Sequence, residues 1–258
     1  MDGGAVTAIV LTHDEAPNIG RTLEQLRWCG EVLVVDSGST DGTLEIVRGF
    51  ANVRVLERRF DSFDAQRNFA MGQAASTWLL LLDADYWLTP ELIDEIAALA
   101  PAAEVLGYRV RFRYCVEGKP LRGSLYPDRV ALFRRGAGVY VRDGHAEQLR
   151  IAGPIGTLRH PIWHDDRKPL SRWLTAQDRY AQAEVRKLLD TPQAMLNRAD
   201  RIRRWIWLAP ILVFFYTLLV KRTLFDGWRG WHYTWQRVLA EVLLAIRLVE
   251  ARLRESRQ

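Results

Sequence analysis

Trp78-Leu79-Leu80-Leu81-Leu82-Asp83-Ala84-Asp85 runs from apolar residues straight into two carboxylates. An apolar run of strand length that ends this way puts charge at the edge of a core. In open α/β sheets, ligands bind beyond the carboxyl ends of the strands, so Asp83 and Asp85 stand where they can meet a ligand. With only Ala84 between them, both can reach one hard cation, which keeps places for substrate phosphates. The competing reading is that the pair begins a loop and helps to cap the helix opening at Thr89-Pro90-Glu91.

Strand-like and helix-like segments alternate on the N-terminal side. Residues 6–11 read as a buried strand and 19–28 as an amphipathic helix with Ile19, Leu23 and Leu26 on one side. Residues 31–35 read as a strand ending in Asp36, 44–50 as a helix, 53–56 as a strand and 64–75 as a helix before the strand at 78–82. The order predicts βαβ units around a parallel sheet, an α/β fold. Between the second strand and its helix, Asp36-Ser37-Gly38-Ser39-Thr40-Asp41-Gly42-Thr43 is a run of turn formers. It matches neither GxGxxG nor a Walker A loop, which counts against dinucleotide and P-loop readings.

Beyond a helix at about 91–99, segments 107–114 and 129–133 are strand-like and separated by turn residues such as Glu117-Gly118-Lys119-Pro120. They predict a mixed part of the same sheet or a flap beside it. Arg109, Arg111 and Arg113 alternate with Val110 and Phe112, so one face is basic or is a solvated edge. Residues 169–189 form an amphipathic helix with Ser171 as a candidate cap.

At 258 residues and 48% hydrophobic composition, the chain can bury a substantial core. No basic region precedes a long apolar stretch at the N-terminus, so no export is expected. Cys29 and Cys115 show neither metal-ligand spacing nor a disulfide framework and read as packing residues in a reducing compartment. Of the net charge of +5, residues 198–258 carry 12 Lys+Arg against 5 Asp+Glu, while the first 197 residues are slightly acidic. A basic tail that also holds the longest apolar run points to an anionic membrane surface. No zinc-finger or RNA-recognition signature accompanies it, and no nucleic-acid partner is expected.

Residues 205–220 are uncharged and are flanked by Arg203-Arg204 and Lys221-Arg222. As one helix they would be about 24 Å long, short of the roughly 30 Å hydrocarbon core. Charge at both ends and Trp205, Trp207 and Tyr216 favour an interfacial or re-entrant segment over a core helix. Residues 235–254 form a last helix that suits a bundle core or a second membrane-lying element. The expected division is a catalytic domain at 1–168 and a helical, membrane-associating region at 169–258.

Taken together, the motifs resemble the bacterial family 2 glycosyltransferases, enzymes of the GT-A fold that move a sugar from a nucleotide-sugar donor. The similarity is strong over residues 6–94. With His164-Asp165-Asp166-Arg167-Lys168-Pro169 and the apolar tail, the chain is more narrowly similar to transferases of lipopolysaccharide-core and envelope glycan assembly. The resemblance implies a Rossmann-like nucleotide-sugar-binding domain with a mixed, mainly parallel sheet.

Residue by residue, the resemblance implies that Thr12 and Glu15 frame the uracil of a UDP donor and that Asp36 reads the base edge. The same residue could instead be a turn or cap residue. The family usually has Asn where Asp14 stands, and Asp forms the same turn. Arg67, in Gln66-Arg67-Asn68, is implied to meet the nucleotide's phosphates. Asp83 serves the ribose or metal side and Asp85 ligates a divalent ion, Mg or Mn; Tyr86 stands where many relatives have another acid. His164 completes the metal shell, contacts phosphate or is structural.

An inverting transfer also needs a base for the acceptor hydroxyl. Asp143 is the first candidate and Glu147 the second, with His145 orienting acceptor or base. The implied activity is metal-dependent hexosyl transfer to a lipid-linked or lipopolysaccharide-core glycan at the cytoplasmic face of the inner membrane. Two alternatives are a polyprenyl-phosphate sugar synthase and a non-catalytic, membrane-bound nucleotide-sugar binding module.

Overall fold

The computed structural model describes residues 1–143 and 146–256. β1 (Val6–Thr12), α1 (Ile19–Glu24), β2 (Glu31–Asp36), α2 (Thr43–Arg48), β3 (Val53–Glu57), α3 (Phe63–Gln73) and β4 (Trp78–Asp83) alternate in the predicted order. Then come β5 (Tyr86–Leu88), α4 (Pro90–Ala97), β6 (Gly107–Val110), β7 (Phe112–Val116), β8 (Lys119–Pro120) and β9 (Arg129–Arg134). β10 (Gly138–Asp143), β11 (Ala146–Ile151), β12 (Ile155–Thr157) and β13 (Ile162–His164) complete the strands among the described residues. Four helices end the chain: α5 (Leu170–Asp190), α6 (Arg198–Arg203), α7 (Leu208–Phe215) and α8 (Trp228–Glu255). The chain divides into two compact units: residues 1–120, 126–142 and 147–168, and residues 121–125, 143–146 and 169–258.

In the first unit the main sheet has the order β12-β6-β9-β4-β1-β2-β3. β1 lies parallel to both β2 and β4, whereas β9 runs antiparallel to β4 and β6. Successive side chains of a strand point to opposite faces, and here both faces are covered. Ala8, Val10, Val34, Leu80 and Leu82 pack on one side with Ile19 and Leu23 of α1. Ile9, Leu33, Leu79 and Leu81 pack on the other with Ala70 and Met71 of α3. Two-sided burial explains why β4 reads as a continuous apolar run rather than an alternating one.

The parallel register sets Thr12 beside Asp36 and Leu11 beside Asp83, so β1, β2 and β4 deliver polar residues to one edge. The expected strand at 107–114 is two strands in two sheets, broken at Arg111. β7 joins β5, β13 and β8 in a small sheet of order β5-β13-β7-β8. There His164 pairs antiparallel with Tyr86. The helix after β5 is capped by Thr89, whose hydroxyl accepts from Leu92 N at 3.3 Å with Pro90 in the first turn. Asp83 and Asp85 take no part in that cap, which removes the competing reading of the pair.

The second unit packs α5 against α8 through Val185, Leu188, Leu196, Leu244 and Leu248. Ser171 lies inside α5, whose N-cap is Pro169, so it is not the cap. The single helix expected at 205–220 is broken. Ile206 adopts φ 60°, α7 starts only at Leu208, and Tyr216–Val220 widens into a π turn. Left-handed backbone is costly for a β-branched residue and stops the helical ladder there. α8 begins at Trp228, seven residues before the expected start at 235. Among the described residues no helix is long and apolar enough to cross a membrane.

The turn between β4 and β5 is held from α1. Thr22, 2% exposed, has its hydroxyl within hydrogen-bond distance of the Ala84 and Tyr86 carbonyls, at 2.6 and 2.8 Å. Thr22→Val keeps the shape and removes the hydroxyl proton that the two carbonyls share, so it is expected to cost about 1–3 kcal/mol in urea unfolding.

Candidate active site

Asp36 ends β2 with no exposed surface, and its carboxylate is fully engaged. Oδ1 accepts from the backbone N–H groups of Gly38 and Ser39, and Oδ2 from the Thr12 and Ser39 hydroxyls. This is the turn role that the sequence left open. Presenting the carboxylate to a base would require it to release one of these donors. Gly38 and Gly42, at φ 85° and 87°, supply backbone that only glycine adopts readily. Asp14 is left-handed at φ 54° and accepts from Thr40 N at 2.7 Å, so Asp carries the turn expected of Asn.

Arg67, which the resemblance sets against the nucleotide's phosphates, is an internal, ion-paired cation in this structure. α3 sends its guanidinium into the unit with 6% of the side chain exposed. There Nη2 donates to Asp83 Oδ1 at 2.6 Å and Nε to Glu147 Oε1 at 3.0 Å. A charge so deep needs partners, and Asp83 and Glu147 supply them. Glu147 also lies 4.0 Å from Arg129. The second candidate base is therefore clamped between cations. Asp143 closes β10, its side chain lies outside what the structure describes, and His145 lies outside the described residues altogether.

Asp85 meets His164 across the small sheet, Nε2 to Oδ2 at 3.2 Å. The imidazole sits edge-on among Tyr86, Tyr114 and Tyr126. Burial opposes the Asp85 charge, but His164 and then Lys168 outweigh it and hold the carboxyl at about 2. Burial likewise opposes the proton on His164, and Asp85 draws the imidazole above its usual value. Asp83 is held below the usual carboxylate range, because Arg67 overcomes its burial.

The segment after β13 straps this pair to α1. Asp165, 2% exposed, accepts from Arg21 at 2.7 Å, Arg167 at 3.0 Å and Gly118 N at 3.1 Å. Its own backbone N–H donates to the Asp85 carbonyl at 3.0 Å. Buried Asn18 donates to Glu15 and Asp166 and accepts from Arg167 N. Lys168 Nζ donates to Glu15 Oε1 at 2.6 Å. Burial and then the Asp85 charge push Glu15 up to about 7 against the pull of Lys168. Asn18 and Arg21 were not singled out from the sequence, and Asp165 and Lys168 entered only as part of the charged stretch ahead of Pro169, without a role of their own.

The fit to a divalent cation rests on one atom. Asp85 Oδ1 is buried and has no hydrogen-bond partner. An ionised oxygen left bare is costly, and a hard cation satisfies it. His164 Nδ1 is also buried and unpartnered. Asp83, Asp85 and His164 do not form the three-ligand shell suggested by the sequence. Among the described residues no group of three or more His, Cys, Asp and Glu could hold a metal. Arg67 draws off one Asp83 oxygen, and His164 turns its Nε2 onto Asp85 itself.

A family model for glycosyl transferase family 2 matches residues 7–158. The chain belongs to that family, and it is an enzyme of the GT-A fold. Over 144 residues it is 31% identical to LpsC of Rhizobium meliloti, a lipopolysaccharide core biosynthesis glycosyltransferase, covering 52% of this chain and 53% of that one. The match thus spans about half the length of that relative. An uncharacterized glycosyltransferase of Rickettsia felis is 23% identical over 87% of this chain and 82% of its own. Among solved structures, the mannosyltransferase PcManGT from Pyrobaculum calidifontis, in complex with GDP-Man and Mn2+, aligns with a TM-score of 0.55 at 18% identity. That likeness covers 95% of this chain and 87% of the other. Family membership sets aside the non-catalytic binding module.

Arg67→Met takes the ion-pair partner from Asp83 and leaves Glu147 only the more distant Arg129, and is expected to destabilise the protein by about 3–5 kcal/mol. Adding Glu147→Leu removes one of the two affected carboxylates and should recover part of that loss. A double-mutant cycle in urea measures the coupling.

Proposed function

We propose that the enzyme is an inverting, metal-dependent hexosyltransferase that takes a UDP-sugar as donor and a lipopolysaccharide-core or other lipid-linked glycan as acceptor. The observation that carries this reading is Asp85, held against His164 at the end of the strand turn with one buried oxygen unpartnered. A diphosphate could not rest against that oxygen without a cation between them. Asp85 would be the principal ligand, with the Asp83 oxygen that Arg67 leaves free, and His164 would hold the Asp85 carboxylate in place through Nε2. When bound, a Mg or Mn ion would neutralise the charge that collects on the departing nucleoside diphosphate.

The chain's own residues do the rest. Thr12 and Asp36 fix the loop on which a uracil would lie, and Glu15, tied to Lys168, borders it. Arg67 holds Asp83 in place from behind. Asp143 is the base that takes the acceptor hydroxyl's proton, because Glu147 already gives its carboxylate to Arg67. His145 orients acceptor or base. The similarity to LpsC supports the acceptor class.

Asp85→Asn is expected to abolish transfer and Mn-dependent donor binding while the chain still folds, at a somewhat lower melting temperature because the His164 contact loses its charge. Wild-type turnover at saturating donor would sink the metal assignment. Asp143→Asn should lower turnover by roughly 10²-fold or more while donor affinity stays nearly constant; the same pattern in Glu147→Gln alone reverses the order of the two bases. Both assays use core oligosaccharide and polyprenyl phosphate in parallel. Transfer to the phosphate only would mark a polyprenyl-phosphate sugar synthase, which needs no base.

A further inference from the structure

The helical unit presents a large apolar surface to its surroundings. Phe215, Leu219, Val220, Phe225, Trp228 and Trp235 are each between 54 and 88% exposed. They come from α7, from the π turn and the 3-10 turn (Thr223–Asp226) that follow it, and from the start of α8. Singly exposed apolar residues need no explanation, but a contiguous set of this size marks an interaction surface.

The surface is pre-shaped. Phe214 of α7 packs on Trp231 and Trp235 of α8 at ring separations of 6.2 and 5.4 Å. A shallow, open groove runs along Trp228, Trp231, His232 and Trp235 on one face of α8. Five of the ten tryptophans in the chain fall within residues 205–235. Indole prefers the boundary between hydrocarbon and polar headgroups over either bulk phase.

Charge selects the occupant. Lys221, Arg222 and Arg229 stand among the apolar residues, and Asp226 is the one acid in residues 205–240. Asp226 is taken by Arg122, whose backbone N–H donates to it at 3.0 Å and whose Nε lies 3.5 Å away. A second copy of this face would set cations against cations. Phosphate headgroups provide the complement.

We propose that this face docks on an anionic phospholipid leaflet as a monotopic attachment. The aromatic and aliphatic side chains enter the acyl boundary, and Lys221, Arg222 and Arg229 meet headgroup phosphates. The absence of a spanning helix among the described residues is in keeping with an attachment that enters one leaflet. The attachment is centred on the turns between α7 and α8 and the start of α8, rather than on one helix at 205–220.

The test is flotation of the full-length protein with phosphatidylcholine vesicles, with and without phosphatidylglycerol. Wild type should float with the anionic vesicles and only weakly with the neutral ones. Phe225→Asp and Trp228→Ser should each weaken binding roughly tenfold or more. Lys221→Glu with Arg222→Glu should abolish the preference for phosphatidylglycerol. Raised salt should weaken binding without ending it, since the apolar contact remains. Brominated phosphatidylglycerol should quench the tryptophan fluorescence of the wild type, a readout that needs no variant to fold. Failure to float with either vesicle, or no quenching, overturns the proposal. So does a dimer in solution that Phe225→Asp dissociates, which would assign the face to a second copy.

Discussion

β4 is buried on both faces, so its carboxyl end is the first point along it where a charged side chain can be satisfied. Because β1, β2 and β4 are parallel and in register, they reach that condition at the same edge. Thr12, Asp36, Asp83 and Asp85 gather there as a consequence of the sheet. Each is then fixed by something behind it: Asp36 by its own loop, Asp83 by Arg67, and the turn before β5 by Thr22. The sheet places the charges and the layer behind it fixes their direction.

The electrostatics of the site are unevenly matched. Arg67 is answered by two carboxylates, Asp165 by two guanidinium groups and a backbone N–H, and Glu15 by Lys168 and Asn18. Among these carboxylates Asp85 carries a bare oxygen, its other oxygen facing His164. An ionised oxygen left bare is where a cation is accommodated at least cost. The small sheet makes that arrangement possible, since pairing His164 with Tyr86 brings a residue far along the chain against the Asp-Ala-Asp turn.

Much of this was legible in the sequence, for local reasons. The βα order, the ends of β2 and β4 and the glycine turns at Gly38 and Gly42 all follow from periodicity and turn chemistry over a few residues. What could not be read depends on distant partners. Lys168 finds Glu15 across 153 positions and Arg67 finds Glu147 across 80, and no local pattern encodes either pair. Arg67 in particular looks like a surface helix charge until burial is known. The break at Ile206 was hidden for another reason. Hydropathy registers the apolar character of residues 205–220, whereas the left-handed turn at a β-branched residue is imposed by packing and costs against local preference.

That break raises the question of why the helical unit does not fold its apolar side inward. Its main hydrophobic cluster is small and lies at the contact of α5 with α8 and the chain leading into α6. Alongside that core lies a buried ionic cluster. Arg203 forks onto Glu241 at 2.7 to 3.2 Å, and Lys187 bridges Glu184 and Asp200 at 3.6 and 3.3 Å. Separating any of these pairs would leave a buried charge unanswered, at a cost of several kcal/mol. The cluster joins α6 to both α5 and α8 and so fixes the end of the chain that leads into α7. Rotating the helices to bury Phe215 or Trp228 would disrupt it. The ionic cluster therefore does in the second unit what Arg67 does in the first: it makes one arrangement of charges obligatory, and the surfaces left exposed are those that arrangement dictates.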